Sequence, residues 1–224
     1  MDKLYVVGIA GKKYSGKGVI ASLLKEKLQG AGINVVVIPY AFRLKKILID
    51  FVSDVTDMSK EDVSRYFYDS IYKEQYIPKL WQTTSRTLMV KFGTDFARDN
   101  VSENIWLHCL NQEIARVRVN TSGPLVVIVD DVRFTNEVDN ILQHTYFKMF
   151  YVKRDLKQSF IKRILERIKQ HKSEDGVYHR FNIYDMNQFF IKNNSTIEAL
   201  SEKLNPIFDE FIGEINESTS VYYR

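Results

Sequence analysis

The chain has a single cysteine in 224 residues, and it has no apolar run of bilayer length, no internal repeat and no low-complexity tract. The lone Cys109 excludes an internal disulfide and fits a reducing compartment; its Ile105–Leu110 surroundings make it an expected core residue. Without the ~20 consecutive apolar residues of a transmembrane helix, a soluble protein is expected. The start, Met1-Asp2-Lys3, passes straight into an apolar strand pattern with no basic region, long apolar core or cleavage site, so no secretory signal and a cytoplasmic location are expected. Neither sign of charge dominates. Lys and Arg total 32 against 28 Asp and Glu, a net charge of +4, which suits an anionic ligand without naming one. The richest basic segment holds Lys153, Arg154, Lys157, Lys162, Arg163, Arg167, Lys169 and Lys172, but the aromatic residues are scattered rather than interleaved with it, so nucleic-acid binding is not expected.

What is present begins at Gly11-Lys12-Lys13-Tyr14-Ser15-Gly16-Lys17, between an apolar run, Leu4 to Ala10, and a helical pattern, Val19 to Leu28. A strand, a loop with glycines at this spacing and a helix form a phosphate cradle. The glycines let several backbone N–H groups converge on a polyphosphate, the helix N-terminus adds positive potential, and Lys17 adds a point charge. Gly11, Ser15, Gly16, Lys17 and Gly18 are the candidate phosphate-binding residues; a plain structural turn is the alternative. One position departs from the pattern. Such loops carry Ser or Thr after the lysine to ligate magnesium, whereas this chain has Gly18 and Val19. Metal must then be held elsewhere or through water, or nucleotide binds weakly, or the site is no longer catalytic.

Apolar runs alternate with helical patterns along the chain, as in a parallel sheet covered on both faces. Strands are predicted at 4–10, 33–39, 125–130, 146–152 and 188–192. Helices are predicted at 17–29, 43–55, 59–69, 84–99, 103–118, 134–143, 156–171 and 195–212, the last capped by Asn193-Asn194-Ser195. A loosely attached tail is expected over 214–224.

The run Val126-Val127-Ile128-Val129 ends in Asp130 and Asp131, and ligands of open α/β sheets bind at the carboxyl ends of strands. Either acid could hold magnesium, directly or through water, and one of them could instead cap the next helix. Arg133, Asn136 and Glu137 follow, able to grip an anion and orient its neighbours. The region from Tyr66 to Trp106 interrupts the strand–helix alternation. Within it Leu88, Phe92 and Phe96 make an i, i+4, i+8 core stripe, and Arg86 and Arg98 read either as phosphate or base contacts or as surface ion pairs.

Together these motifs resemble the deoxynucleoside monophosphate kinases of phages and other large DNA viruses, a branch of the P-loop nucleoside monophosphate kinases. Four segments carry the resemblance in order: Gly11 to Lys17; Ala41-Phe42-Arg43-Leu44-Lys45; Arg86 through Gly93-Thr94-Asp95 with Trp106 beyond; and Asp131-Val132-Arg133-Phe134 with Asn136-Glu137. Weaker echoes are His171-Lys172-Ser173-Glu174 and Phe190 to Glu198. The resemblance covers most of residues 4–212.

The resemblance implies a three-layer P-loop NTPase fold of the α/β class: a central, mainly parallel five-stranded sheet with helices on both faces. It implies one domain over 1–213, with a helical monophosphate-binding insertion at about 56–106 and a basic lid at about 153–182. The implied reaction moves the γ-phosphate of ATP onto a deoxynucleoside 5′-monophosphate, with Mg2+, to supply precursors for viral DNA synthesis in the host cytoplasm. Lys17, Asp131 and Arg133 would be catalytic. Lys45, Arg86, Thr94, Asp95, Arg98, Arg133 and Glu137 would take the acceptor, and Arg154, Arg163, Arg167, His171 and Glu174 would serve the lid. Asp131, or Asp130, would hold the metal through water. The expected partners are small-molecule nucleotides and no membrane, with a homodimer left open. A kinase-fold protein that lost turnover and now binds nucleotide or a partner is the competing reading, favoured by Gly18 and Val19.

Overall fold

The computed structural model describes residues 3–69, 71–155, 177–181 and 185–220. The chain divides into two compact units, one drawn from the chain up to Pro39 and from Ile114 onward, the other Tyr40–Glu113. The second unit is wider than the insertion expected at 56–106, because it takes in the helix that follows the second strand.

The first unit is built on a parallel sheet of β1 (Leu4–Gly11), β2 (Asn34–Val37), β3 (Leu125–Val132), β4 (Phe147–Lys153) and β5 (Gln188–Lys192). The strand order is β2-β3-β1-β4-β5, with every neighbouring pair parallel. β1 and β3 are buried almost throughout, which is why both read as continuous apolar runs rather than alternating ones. On one face, α1 (Lys17–Gly30) and the last helix, α7 (Ile197–Ser220), pack Ile20, Leu24, Leu28, Leu204 and Phe208 against Val7, Ile9 and Phe150. On the other face lies α6 (Thr135–Leu142): a Cβ on Gly8 would stand 2.2 Å from Met149 Sδ and 3.2 Å from Ile141 Cγ1, so these side chains pack directly onto the glycine. The result is helix, sheet, helix, the three layers expected.

Two expectations at the C-terminal end are corrected. Thr196, not Asn193-Asn194-Ser195, caps α7, its Oγ1 accepting from the Ala199 N–H at 3.3 Å. The helix also runs through Gly213 to Ser220 with Ile215 fully buried, so the expected loose tail from 214 does not start there; the apolar spacing Leu204, Phe208, Phe211, Ile215 keeps this face on the sheet.

The second unit is helical: α2 (Phe42–Thr56), α3 (Lys60–Tyr68), α4 (Ser85–Val90), a π-helix (Lys91–Val101) and the start of α5 (Ile105–Val119). Leu44, Leu48, Val52, Val63, Phe67, Ile77, Leu88 and Trp106 form its own core. The expected apolar stripe holds at Leu88, which is buried, and at Phe92, which packs against this core, and the π-helix breaks it at Phe96. Its wider turn, closed by a Ser102 N–H to Ala97 carbonyl bond of 2.9 Å, rotates the side chains off the 3.6-residue repeat, so Phe96 stands 59% exposed while Ala97 and Arg98 turn inward.

Candidate active site

In the first unit, β1 delivers the chain into the glycine-rich loop and α1 carries it away. Gly11 and Gly16 have φ of 143° and 98°, and Tyr14 adopts a left-handed φ of 63°, uncommon for a bulky residue. Such alternation of backbone hands turns successive N–H groups toward one concavity, the geometry that receives an anion. The Lys17 ammonium bridges the loop, donating to the carbonyls of Gly11 at 2.6 Å and Lys12 at 2.9 Å.

Ser15 is tied into the loop through its backbone. Its N–H donates to the Lys12 carbonyl at 3.1 Å and its carbonyl accepts from the Asn193 amide. Its hydroxyl is buried without a hydrogen-bond partner and lies 2.8 Å from where a Cβ on Gly11 would stand. Gly18 is exposed in the first turn of α1 with open space where a side chain would project.

Asp130 and Asp131 end β3, both half-buried, as the strand pattern predicts. Arg133 follows and, with Gly11, Val132, Tyr151 and Val177, lines a recess beside the loop. The sequence placed Glu137 at the acceptor. Its carboxylate instead is 3% exposed and accepts from the backbone N–H groups of Arg133 at 2.7 Å and Phe134 at 3.1 Å. It closes the start of α6 from inside the first turn, so that start is capped by Glu137 rather than by an aspartate.

Arg154 is exposed, one residue past β4. Beside it the Asp155 N–H donates to Asn194 Oδ1 at 2.8 Å while Asn194 Nδ2 returns a bond to Asp155 Oδ2 at 3.1 Å, and this amide holds the Asp155 carboxyl below the usual carboxylate range, helped by Lys153 and Lys192. Arg163, Arg167, His171 and Glu174 lie outside the described residues.

In the second unit, Lys45 on α2 sits over the Tyr68 ring, 4.7 Å from its centre. Arg86 on α4 is ion-paired with Glu74 at 2.8 Å, which is the surface-bridge reading of that residue. Arg98 is 8% exposed and donates to the Glu103 carbonyl at 3.1 Å, bracing the turn that leaves the π-helix. Thr94 is half-buried and Asp95 exposed, with the Asp95 carbonyl accepting from the Asn100 amide. Gly93 in this motif has a packing reason: a Cβ there would meet Leu44 Cδ2 at 2.4 Å, and its carbonyl takes the Trp106 indole N–H at 2.8 Å.

Among the described residues there is no group of three His, Cys, Asp or Glu able to enclose a metal ion. Asp130 and Asp131 stand next to each other at the carboxyl end of β3, two carboxylates of the kind that order the waters of a magnesium ion. The sequence missed Asn193. It is 5% exposed at the end of β5, and its side-chain amide donates to the Ser15 carbonyl at 2.8 Å across 178 residues of chain.

A parallel sheet in this order with a phosphate-type loop after its central strand defines an α/β protein of the P-loop class. A sequence profile of deoxynucleotide monophosphate kinases matches residues 33–204, well over half of the chain, and the chain belongs to that family. It is thus a nucleotide kinase by family; the glycine-rich loop lies ahead of the matched stretch. No curated protein matches. Solved structures with distant likeness include that of APE1195, at 16% identity and a TM-score of 0.47, covering 95% of this chain and 98% of that one. Another is the dephospho-CoA kinase of Campylobacter jejuni, at 14% identity and 0.43, covering 95% and 99%. A gluconokinase of Sinorhizobium meliloti stands at 10% and 0.39, covering 95% and 96%. Among the described residues no helix is long and apolar enough to cross a membrane.

Proposed function

We propose that the protein transfers the γ-phosphoryl group of ATP to the 5′-phosphate of a deoxynucleoside monophosphate, giving the diphosphate and ADP. The observation that carries the reading is the loop of Gly11 to Lys17, with its alternating backbone hands and bridging lysine, beside the recess that Arg133 lines. A phosphate oxygen of the acceptor attacks the γ-phosphorus, and the bond to the β–γ bridging oxygen breaks. Little covalent work falls to the protein, so catalysis is positioning and charge neutralisation. Lys17 exchanges its two carbonyl partners for donor phosphate oxygens. Arg133 holds the acceptor phosphate against the repulsion between the two anions. Arg154 serves the donor. Asp131 with Asp130 would order the waters of a bound magnesium ion, which would supply charge neutralisation at the donor phosphates. The family supports this reading, and the product serves DNA synthesis, of a virus in its host's cytoplasm if the resemblance extends to origin.

The test is ADP formation from ATP and magnesium with each of dAMP, dCMP, dGMP and dTMP, beside the ribonucleotides and Lys17→Ala. Turnover with a deoxynucleotide that falls by on the order of 10²-fold or more in Lys17→Ala supports the proposal. A folded protein silent with all of them overturns it in favour of a kinase fold without turnover, the second reading, which Gly18 and Val19 favour.

A further inference from the structure

Asn193 is set differently from the other polar residues around the loop. It is 5% exposed, and both of its hydrogen-bonding ends are committed to separate parts of the chain. Its backbone N–H donates to the Lys153 carbonyl at 2.8 Å, the point where β4 ends, and its side-chain amide donates to the Ser15 carbonyl at 2.8 Å. The Ser15 carbonyl belongs to the peptide unit that leads into Gly16, so this bond fixes the rotation of the peptide plane whose N–H comes from Gly16. Gly16 makes room for it: a Cβ there would lie 2.2 Å from Asn193 Nδ2. The glycine is needed twice, for its φ of 98° on one side and for the asparagine on the other.

Resting on the kinase reading, we propose that Asn193 is a positioning residue for the donor nucleotide, acting through the Ser15–Gly16 peptide without touching the nucleotide itself. A peptide unit held by a buried amide presents its N–H in one direction. Without that amide, the Ser15 carbonyl is buried and unpaired unless the peptide turns, and turning swings the Gly16 N–H out of the concavity. Asp at this position keeps the size but removes the donor and sets an anion behind a carbonyl and beneath a polyanion, so it is worse than a simple deletion. The acceptor set gains nothing from this bond, and the effect is confined to the donor.

The experiment is a titration of MgATP and, separately, of the preferred deoxynucleoside monophosphate into wild type, Asn193→Ala, Asn193→Ser and Asn193→Asp by calorimetry, with KM for each substrate measured alongside. Asn193→Ala is expected to weaken MgATP binding about tenfold and Asn193→Asp further, with the acceptor constants within about twofold of wild type. Circular dichroism and melting identify variants that fold, and Asn193→Ser, which is smaller but polar, carries the test if Asn193→Ala does not. Folded variants with unchanged MgATP affinity, or with both substrates weakened equally, overturn the inference while leaving the kinase reading standing. A folded wild type that binds the acceptor and no MgATP overturns both.

Discussion

The Glu137 carboxylate and the Arg133 backbone are locked together: Oε2 of the buried glutamate accepts the arginine N–H at 2.7 Å and its neighbour's at 3.1 Å. The direction in which Arg133 leaves β3 is thereby set from the first turn of α6. A carboxylate that accepts two backbone amides has a strong grip on them, and a neutral amide has a weaker one.

Glu137→Ala is expected to raise the acceptor KM by about tenfold, through Arg133, with the ATP KM within about twofold, and Glu137→Gln to recover part of the loss. Steady-state kinetics with each substrate varied in turn decide this. An unchanged acceptor KM in folded Glu137→Ala removes the link to Arg133.

Gly18 has open space where a side chain would project, so the missing hydroxyl can be put back without a clash. Gly18→Ser is expected to bind MgATP about two- to tenfold more tightly, the worth of one hydrogen bond. Gly18→Ala separates the two consequences of the change, since it supplies the ~0.5–1 kcal/mol gain of replacing a helical glycine but no hydroxyl. Equal affinities for the serine and alanine variants would mean that the hydroxyl adds nothing here and the metal depends on Asp130 and Asp131.

Ser15 offers a sharper distinction between shaping and contact. Because its buried hydroxyl has no partner, Ser15→Ala is expected to be neutral or up to ~1 kcal/mol more stable in urea, with MgATP affinity within about twofold. A large fall in affinity would return the hydroxyl to the ligand.

His144 adds a pH dependence. Burial pushes its imidazole below the ordinary value of 6.5, since the charged form loses hydration in the folded chain. The unfolded chain therefore binds a proton more readily, and the contribution of His144 to stability is complete above pH 6.5 and is lost as pH falls through the lower folded value. Urea unfolding at intervals from pH 8 to 5 should show a slope that shrinks in His144→Gln; an identical slope would locate the titration in other groups.

The centre of the sheet was legible because β1 and β3 are buried on both faces, and uninterrupted apolar runs such as Val126 to Val129 have no other comfortable place. The loop was legible because its function is written in backbone conformations that Gly11 and Gly16 advertise. Three things were hidden. The π-helix left no mark, since Leu88, Phe92 and Phe96 fit an ordinary helix and only the turn at Ser102 to Ala97 reveals the wider winding. Glu137 was visible as a charge but not as one facing its own backbone. Asn193 follows an apolar strand as any helix cap would, and nothing local announces a partner 178 residues away.

The Lys17 ammonium, already resting on the Gly11 and Lys12 carbonyls, gives nucleotide capture a particular thermodynamic character. On the proposed function, a loop already tied by these two bonds is expected to lose little further conformational freedom when the nucleotide arrives. Neutral dipoles are exchanged for anionic oxygens around one fixed cation. Calorimetry is then expected to register binding as a heat-releasing change of partners, not as a folding event.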